Sequence, residues 1–189
     1  MDWNAVKQCG GEVQMENLQY PIGKFEPVRK VSAEQRIEWI KQIAETPTKL
    51  RSAINGLSAE QLDTPYRPSG WIVRQVVHHL PDSHMNSYIR FKLALTEENP
   101  IIKPYMENRW AELDDYRNTP IEVSLILLES LHERWITLLS HFQDTQFLRT
   151  FTNPESGDTL TLENALGLYA WHGRHHVAHI TSLRERMGW

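Results

Sequence analysis

The stretch WHGRHHVAHI at residues 171–180 places four of the chain's nine histidines within eight positions. His172 and His176 are four residues apart, and His175 and His179 have the same spacing. On an α-helix, side chains four residues apart lie one above the other on the same face. The spacing therefore predicts a helix with paired histidines, and either pair could contribute to a metal site.

The composition is that of an ordinary globular domain. The chain has 189 residues, of which 40% are hydrophobic and 23% charged, which suits one hydrophobic core. Its net charge of −4 argues against a nucleic-acid partner, because nucleic acids are bound through basic patches. The single cysteine, Cys9, excludes an internal disulfide and a cysteine-rich zinc module. Because no signal-peptide core or bilayer-length apolar run is visible, we expect a cytoplasmic protein without a membrane partner.

The beginning of the chain differs from the rest. Its first fourteen residues contain a Gly-Gly pair and no clear period, and a second methionine follows at Met15. We expect folding to begin near Tyr20. This gives a poorly ordered leader at residues 1–19 and a single domain at residues 20–189.

Helical start and stop signals delimit four long segments. A capping residue three positions before Gln or Glu opens the first and the third, and Gly188 follows the last. Pro47 lies inside the first segment, and we expect it to kink or interrupt that helix. Pro81 lies inside the second, and we expect it to bend that helix. The predicted helices run from Ser32 to about Leu57, from about Trp71 to Leu95, from Thr119 to about Phe142, and from Thr161 or Leu162 to Arg186 or Met187.

Two connections between these helices carry structural information. Residues 98–118 form a crossover between the second and third helices that is too long for a tight turn. Residues 149–162, RTFTNPESGDTLTL, alternate around a Pro- and Gly-bearing turn and predict a short hairpin before the fourth helix. The fold class is therefore all-α, a four-helix bundle, in which ligand and metal sites are built from side chains on facing helices.

The second helix supplies a third candidate ligand. Within VVHHLPDSH, residues 76–84, His79 shares a helical stripe with Val76 and Ser83, whereas His78 points about 100° away. His79 from one helix and the pair His172 and His176 from another would surround a cation with three imidazoles. Catalytic zinc commonly takes three protein ligands and keeps one position open, and imidazole also suits nickel, copper and iron. Histidines at this spacing also occur as ordinary structural residues.

The sequence offers weaker candidates for supporting roles. Asn86 and Arg90 continue the His79 stripe, so we expect them to contact substrate. Asp82 could act as a base or as a hydrogen-bond partner of a ligand, and His175 could line the mouth of the site or be structural. Trp71, Trp135 and Trp171 are interpreted as core residues, and His132 and His141 as ordinary surface or core-edge residues.

The segments GWIVRQVVHHLPDSHMNSYIRFKLALTEENP (70–100) and LENALGLYAWHGRHHVAHI (162–180) resemble the DinB-like superfamily. The resemblance extends over about residues 18–189. It implies a homodimeric four-helix bundle with one zinc- or nickel-type ion per chain, held by His79, His172 and His176. These are the positions that the helical stripes indicate. Pro81 departs from the alanine of the subgroup's HLADSH motif and removes a backbone donor close to His79.

The resemblance implies an enzyme that acts on a small molecule. A cation with an open position can ionise a water, which gives a metal-dependent hydrolase, or a low-molecular-weight thiol such as bacillithiol, which gives an S-transferase. The sequence favours the thiol slightly, because no clear carboxylate base accompanies the histidines. The alternative is a non-catalytic, metal-binding stress-response bundle whose site a fourth protein ligand closes.

Overall fold

The computed structural model describes residues 17–189, and four long helices dominate it. The predicted all-α class, the long crossover and the hairpin are confirmed. The elements are α1 (Ala33–Ile54), α2 (Ala59–Leu62), α3 (Val73–Thr96), α4 (Glu107–Trp110), α5 (Asp114–Asn118), α6 (Ile121–Leu139), α7 (Asp144–Phe147), β1 (Thr150–Thr152), β2 (Thr159–Thr161) and α8 (Leu162–Met187).

The long helices pack as a closed ring of neighbours. Helix α1 contacts α8 and α6, and α3 contacts the same two helices from the other side. The antiparallel strands β1 and β2 pair Thr150 with Thr161 and lead directly into α8. This arrangement places α3 against α8, the two helices that carry the predicted metal ligands.

The capping signals predicted at Ser32 and Gly188 are confirmed, and the one predicted at Thr119 is not. The Ser32 side chain accepts the Gln35 N–H at the start of α1, and Gly188 takes the left-handed conformation, with φ of 70°, after α8. The capping box predicted at Thr119 does not form. Helix α6 starts one residue later than expected, with Pro120 in the cap position and no side-chain cap.

Both internal prolines are accommodated within continuous helices. Of the two alternatives predicted at Pro47, interruption is excluded because α1 continues through it, and α3 likewise continues through Pro81. Both prolines are buried, and the packing of an amphipathic face outweighs a local cost in most protein helices. Pro47 has no N–H to donate to the carbonyl of Ile43, four residues earlier. That carbonyl instead accepts a hydrogen bond from His132 Nδ1 at 2.7 Å.

A polar layer divides the core of the bundle into two apolar clusters. One cluster forms around Trp135 and Phe91, and the other around Leu80 and Leu128. Each long helix contributes to both clusters and changes from one to the other near the middle of the bundle. At that level the buried side chains are polar: Thr46, His84, His132, His175, His176 and His179.

The first described residues belong to the folded structure. Residues 17–19 are helical, and the Gln19 carbonyl lies 3.0 Å from His179 Nε2. The fold therefore begins before Tyr20. The remainder of the predicted leader, residues 1–16, lies outside the described residues. No helix from residue 17 onward has the length and apolarity needed to cross a bilayer.

Helices α1 and α8 approach closely at Gly173. A Cβ atom there would lie 2.6 Å from Thr46 Oγ1 and 2.8 Å from its Cγ2. Alanine favours a helix by about 1 kcal/mol over glycine, but overpacking a core typically costs about 1–3 kcal/mol. We expect Gly173→Ala to lower the free energy of unfolding in urea titrations, and Thr46→Ala in the same chain to restore it. An unchanged stability of the single variant would contradict this contact.

Candidate metal centre

Three histidines from two helices converge on one side of the polar layer. One ring nitrogen of each of His79, His172 and His176 lies within 4.8 Å of the other two. His79 Nε2 and His172 Nε2 are 3.3 Å apart, and the rings of His172 and His176 meet edge to face at 4.6 Å between centroids. The helical spacing of the pair and the packing of α3 against α8 account for this convergence.

Burial keeps these rings neutral. Desolvation lowers the pKa of His79 to about 3, with a smaller effect of the neighbouring His175. Desolvation followed by the mutual repulsion of the rings also lowers the pKa of His172 and His176 well below the ordinary value. Only a neutral imidazole offers a lone pair to a metal, so all three rings are in the ligating state at neutral pH.

The donor set fits a borderline divalent cation. Three imidazole nitrogens suit zinc or nickel better than they suit magnesium or calcium, which prefer oxygen. The facing nitrogens of His79 and His172 can share only one proton in the absence of an ion. Among the described residues, no fourth histidine, cysteine or carboxylate joins the cluster.

The cluster forms part of the wall of an open cavity of about 430 Å³. Three segments outside the long helices also line it: residues 19–20, residues 66–71 before α3, and residues 105–108 in the crossover. The cavity is therefore lined by imidazoles together with aromatic, amide and charged groups. The principal groups from these segments are Tyr20, Tyr66, Arg67, Trp71, Tyr105, Glu107 and Asn108.

Comparison with known proteins places the chain in a family. The DinB superfamily matches residues 42–180, which include α3 and α6, most of α1 and α8, and all three histidines. The chain belongs to the DinB superfamily.

The relatives of this DinB-superfamily chain are similar over nearly their whole length. A protein of Bacillus mycoides (strain KBAB4) named "Putative metal-dependent hydrolase" is 58% identical over 93% of this chain and 100% of its own. YfiT of Bacillus subtilis (strain 168), named likewise, is 56% identical over 92% of this chain and 97% of its own. The solved structure of YfiT, described as a probable metal-dependent hydrolase with an unusual four-helix bundle topology, matches with a TM-score of 0.90. That match has 56% identity and covers 92% of this chain and 99% of YfiT.

Asp82 lies away from the histidine cluster. Its carboxylate accepts a hydrogen bond from the Tyr116 hydroxyl at 2.7 Å and does not line the cavity. Burial raises its pKa, and the Tyr116 hydrogen bond partly offsets that rise. The interpretation of Asp82 as a base or as a ligand partner is therefore corrected. Its short side chain turns towards the crossover helix α5.

Asn86 and Arg90 also lie outside the cavity. They follow His79 by seven and eleven residues, which carries them about 10 and 16 Å along the helix axis. Asn86 donates to the backbone oxygen of Asp82 and borders a separate surface pocket with Trp110. The expectation that these side chains contact substrate in the histidine cavity is corrected for this reason.

His175 is the one weaker candidate that the structure brings to the cavity. It is buried, stacks on Trp171 at 4.3 Å and borders the cavity beside His176. Trp71, interpreted from the sequence as a core residue, also lines the cavity, 4.7 Å from His79 between ring centroids. Trp135 is fully buried as expected.

Sequence reasoning missed the groups supplied by the loops. Arg67, Tyr105 and Glu107 lie in segments without helical periodicity, so no pattern relates them to the histidines. The only available signal is composition, because PYRPSGW (65–71) and PYMEN (104–108) combine aromatic and charged residues within otherwise turn-like stretches.

His132 is buried and not the surface or core-edge residue that the sequence suggested. It is 2% exposed and its Nε2 lies 2.8 Å from His84 Nδ1. His141 is exposed in the turn after α6, as expected.

Proposed function

We propose that the chain is a metal-dependent enzyme in which His79, His172 and His176 hold one divalent ion, zinc or nickel. The observation that carries the proposal is the convergence of three neutral ring nitrogens within 4.8 Å on the wall of an open cavity. A catalytic site of this kind needs three protein ligands and an accessible remaining position. The lack of a fourth ligand within the described chain favours this function over a closed, non-catalytic site.

Hydrolysis is the activity that we propose first. When bound, such a cation can lower the pKa of a water to about 7 or ionise a thiol. Glu107 is the one carboxylate among the described residues that line the cavity, and it could accept a proton from an attacking water. Arg67 could hold an anionic group of the substrate. The names of the close relatives also favour hydrolysis.

Transfer of a low-molecular-weight thiol, with bacillithiol as co-substrate, is the second candidate. A volume of about 430 Å³ falls in the range of small-molecule sites. The aromatic walls formed by Tyr66, Trp71 and Tyr105 suit an organic electrophile beside the thiol. Asp82, the carboxylate nearest to the ligands in the sequence of α3, is held by Tyr116 and does not face the cavity.

A thiol-dependence assay separates the two activities. Metal-loaded protein is incubated with an activated ester and, separately, with chlorodinitrobenzene, each with and without bacillithiol. Hydrolysis predicts turnover of the ester with water alone and a rate that rises as a group with a pKa of about 7 deprotonates. Transfer predicts no turnover of either compound until thiol is added, followed by saturation with thiol. Turnover of neither compound under all conditions would argue for a non-catalytic bundle.

We also propose that the chain works in the cytoplasm as a homodimer. Helix α6 exposes an apolar face to solvent, with Val123 and Ile126 each 53% exposed and Leu127 39% exposed. Exposed apolar faces of this kind commonly mark an interface. Light scattering at micromolar concentrations should give twice the 22.1 kDa chain mass, and Ile126→Glu should reduce it to one chain. A wild-type mass of one chain would exclude the dimer.

A further inference from the structure

A row of hydrogen-bonded imidazoles runs from the ligand His172 into the core of the bundle. His172 Nδ1 lies 3.1 Å from His84 Nε2, and His84 Nδ1 lies 2.8 Å from His132 Nε2. His132 Nδ1 lies 2.7 Å from the backbone oxygen of Ile43, where the row ends. His84 and His132 are 0% and 2% exposed, and neither ring belongs to the proposed ligand set.

The carbonyl at the end of the row fixes the direction of every hydrogen bond in it. The Ile43 oxygen can only accept, so His132 Nδ1 carries the proton. Burial holds the pKa of His132 at about 4, so its ring is neutral and its Nε2 must accept from His84 Nδ1. The neutral His84 ring also carries only one proton, on Nδ1, so its Nε2 accepts a hydrogen bond from His172 Nδ1. His172 Nε2 is then left with a lone pair.

Pro47 leaves free the Ile43 carbonyl at which this row of hydrogen bonds ends. In α1, the N–H that would bond to the Ile43 oxygen belongs to residue 47, and proline has none. The carbonyl is therefore available to His132 from the facing helix α6. The buried proline of α1 therefore supplies a free backbone acceptor at the level of the polar layer.

We propose that His84 and His132 are positioning residues that hold His172 in its Nδ1–H tautomer and keep the lone pair of Nε2 directed at the metal site. The proposal rests on the proposed metal-binding function. Histidine ligands usually donate their other N–H directly to a carbonyl or carboxylate, which fixes the tautomer. Here His172 is linked to the carbonyl through two further rings. The hydrogen bonds run in one direction, from His172 on α8 through His84 on α3 and His132 on α6 to the Ile43 oxygen on α1.

A shorter row of the same polarity reaches the second ligand of α8. The Gln19 oxygen lies 3.0 Å from His179 Nε2, and His179 Nδ1 lies 3.4 Å from His176 Nδ1. Because the carbonyl only accepts, His179 Nε2 carries the proton and its Nδ1 accepts from His176. His176 is thereby also left with a lone pair on Nε2. Two independent carbonyls thus impose the same tautomer on both ligands of this helix.

The tautomers can be read directly in metal-free protein. In ¹⁵N-histidine-labelled protein treated with chelator, two-bond ¹H–¹⁵N correlation spectra distinguish a protonated Nδ1 from a protonated Nε2. We expect His132, His84 and His172 all to be protonated on Nδ1. A His172 ring protonated on Nε2 would overturn the proposal. This measurement needs neither metal nor substrate, so it does not depend on whether the protein is an enzyme.

The second measurement compares two broken hydrogen bonds between the same pair of helices. His132→Leu removes the acceptor of His84, whereas Ser124→Ala removes the 2.7 Å contact of Ser124 with His78, which leads to no ligand. We expect His132→Leu to shift the His172 tautomer and to weaken zinc binding by about 10–100-fold. Ser124→Ala should leave both unchanged. His132→Gln, whose amide can accept from His84 and donate to Ile43, should restore both.

The outcomes separate this proposal from the proposed function. If His132→Leu and Ser124→Ala have equal effects on zinc affinity and neither shifts the His172 tautomer, the row is only structural and the proposal fails. If wild-type protein binds no zinc or nickel, the proposed function fails, while the tautomer spectrum still decides the polarity of the row. Should His132→Leu not fold, the wild-type spectrum and His132→Gln decide the proposal.

Discussion

The metal content of the purified protein is expected to fall from about one ion per chain to nearly none when His79, His172 or His176 is replaced by Ala. Each substitution removes one of three ligand nitrogens that lie within 4.8 Å of one another. The loss should exceed the roughly 10–100-fold reduction in affinity that loss of a supporting hydrogen bond causes. Mass spectrometry of the metal after extensive dialysis, together with zinc titration by competition with a chromophoric chelator, measures it.

Two histidines provide matched controls for this expectation. His78 is the direct neighbour of His79 and equally buried, but its Nδ1 contacts Ser124 on α6 and it lies outside the cluster. His141 is exposed and remote from the site in the turn after α6. His78→Ala and His141→Ala should both retain the ion. A protein that loses its metal with His78→Ala and keeps it with His79→Ala would disprove the assigned ligand set.

The bundle and the histidine cluster could be predicted because both depend on periodicity within single helices. The four-residue spacing of His172 and His176 fixes their common face before any tertiary contact is known. The stripe through His79 likewise identifies the face of α3 that turns inward. The packing of α3 against α8 does not follow from periodicity. It follows from the bundle class, because four helices in a ring can be neighbours in only a few ways.

The cavity wall could not be predicted because it is made by segments that lack a period. Arg67 lies in the loop before α3, and Glu107 begins the short helix α4 in the crossover. Only the tertiary fold brings them to the histidines. The expectation for Arg90 is wrong for a related reason. A helical stripe specifies the face of a helix but not how far along the helix axis the cavity extends. A stripe that begins in a cavity can leave it within two turns.

The burial of His132 has a signal in the sequence. Leu128 lies four residues before it and Trp135 three residues after it, so its face of α6 is apolar and a polar side chain there must find a buried partner. The identity of that partner could not be deduced, because it depends on the axial register of α6 against α1 and α3. Pro47 was likewise interpreted only as a helix breaker, whereas it also frees a carbonyl for a neighbouring helix.

Metal-free protein is expected to lose its stability steeply as the pH falls from 6.5 towards 5. Burial lowers the pKa of eight of the nine histidines, to about 4 for His132 and His179 and about 3 for His79 and His175. The unfolded chain titrates near 6.5, so below that pH the unfolded state binds more protons than the folded state. The stability conferred by the neutral rings is therefore present above pH 6.5. It is lost progressively down to the folded-state pKa values.

The expected size of this loss is comparable with the whole stability of a domain. Each histidine that stays neutral when folded costs about 1.4 kcal/mol by pH 5.5. The seven with strongly lowered pKa values, which exclude His78, therefore cost roughly 10 kcal/mol, against a typical total of about 5–15 kcal/mol. Asp82 acts in the opposite direction, because its raised pKa favours the folded state as pH falls, but it is a single group. Urea titrations of chelator-treated protein at pH 7.5, 6.5 and 5.5 measure the loss. His132→Gln should reduce the total loss between pH 7.5 and 5.5 by about 1.4 kcal/mol. A stability that stayed constant from pH 7.5 to 5.5 would mean that the buried rings accept protons without unfolding, and the hydrogen-bonded rows that require neutral imidazoles would then be untenable.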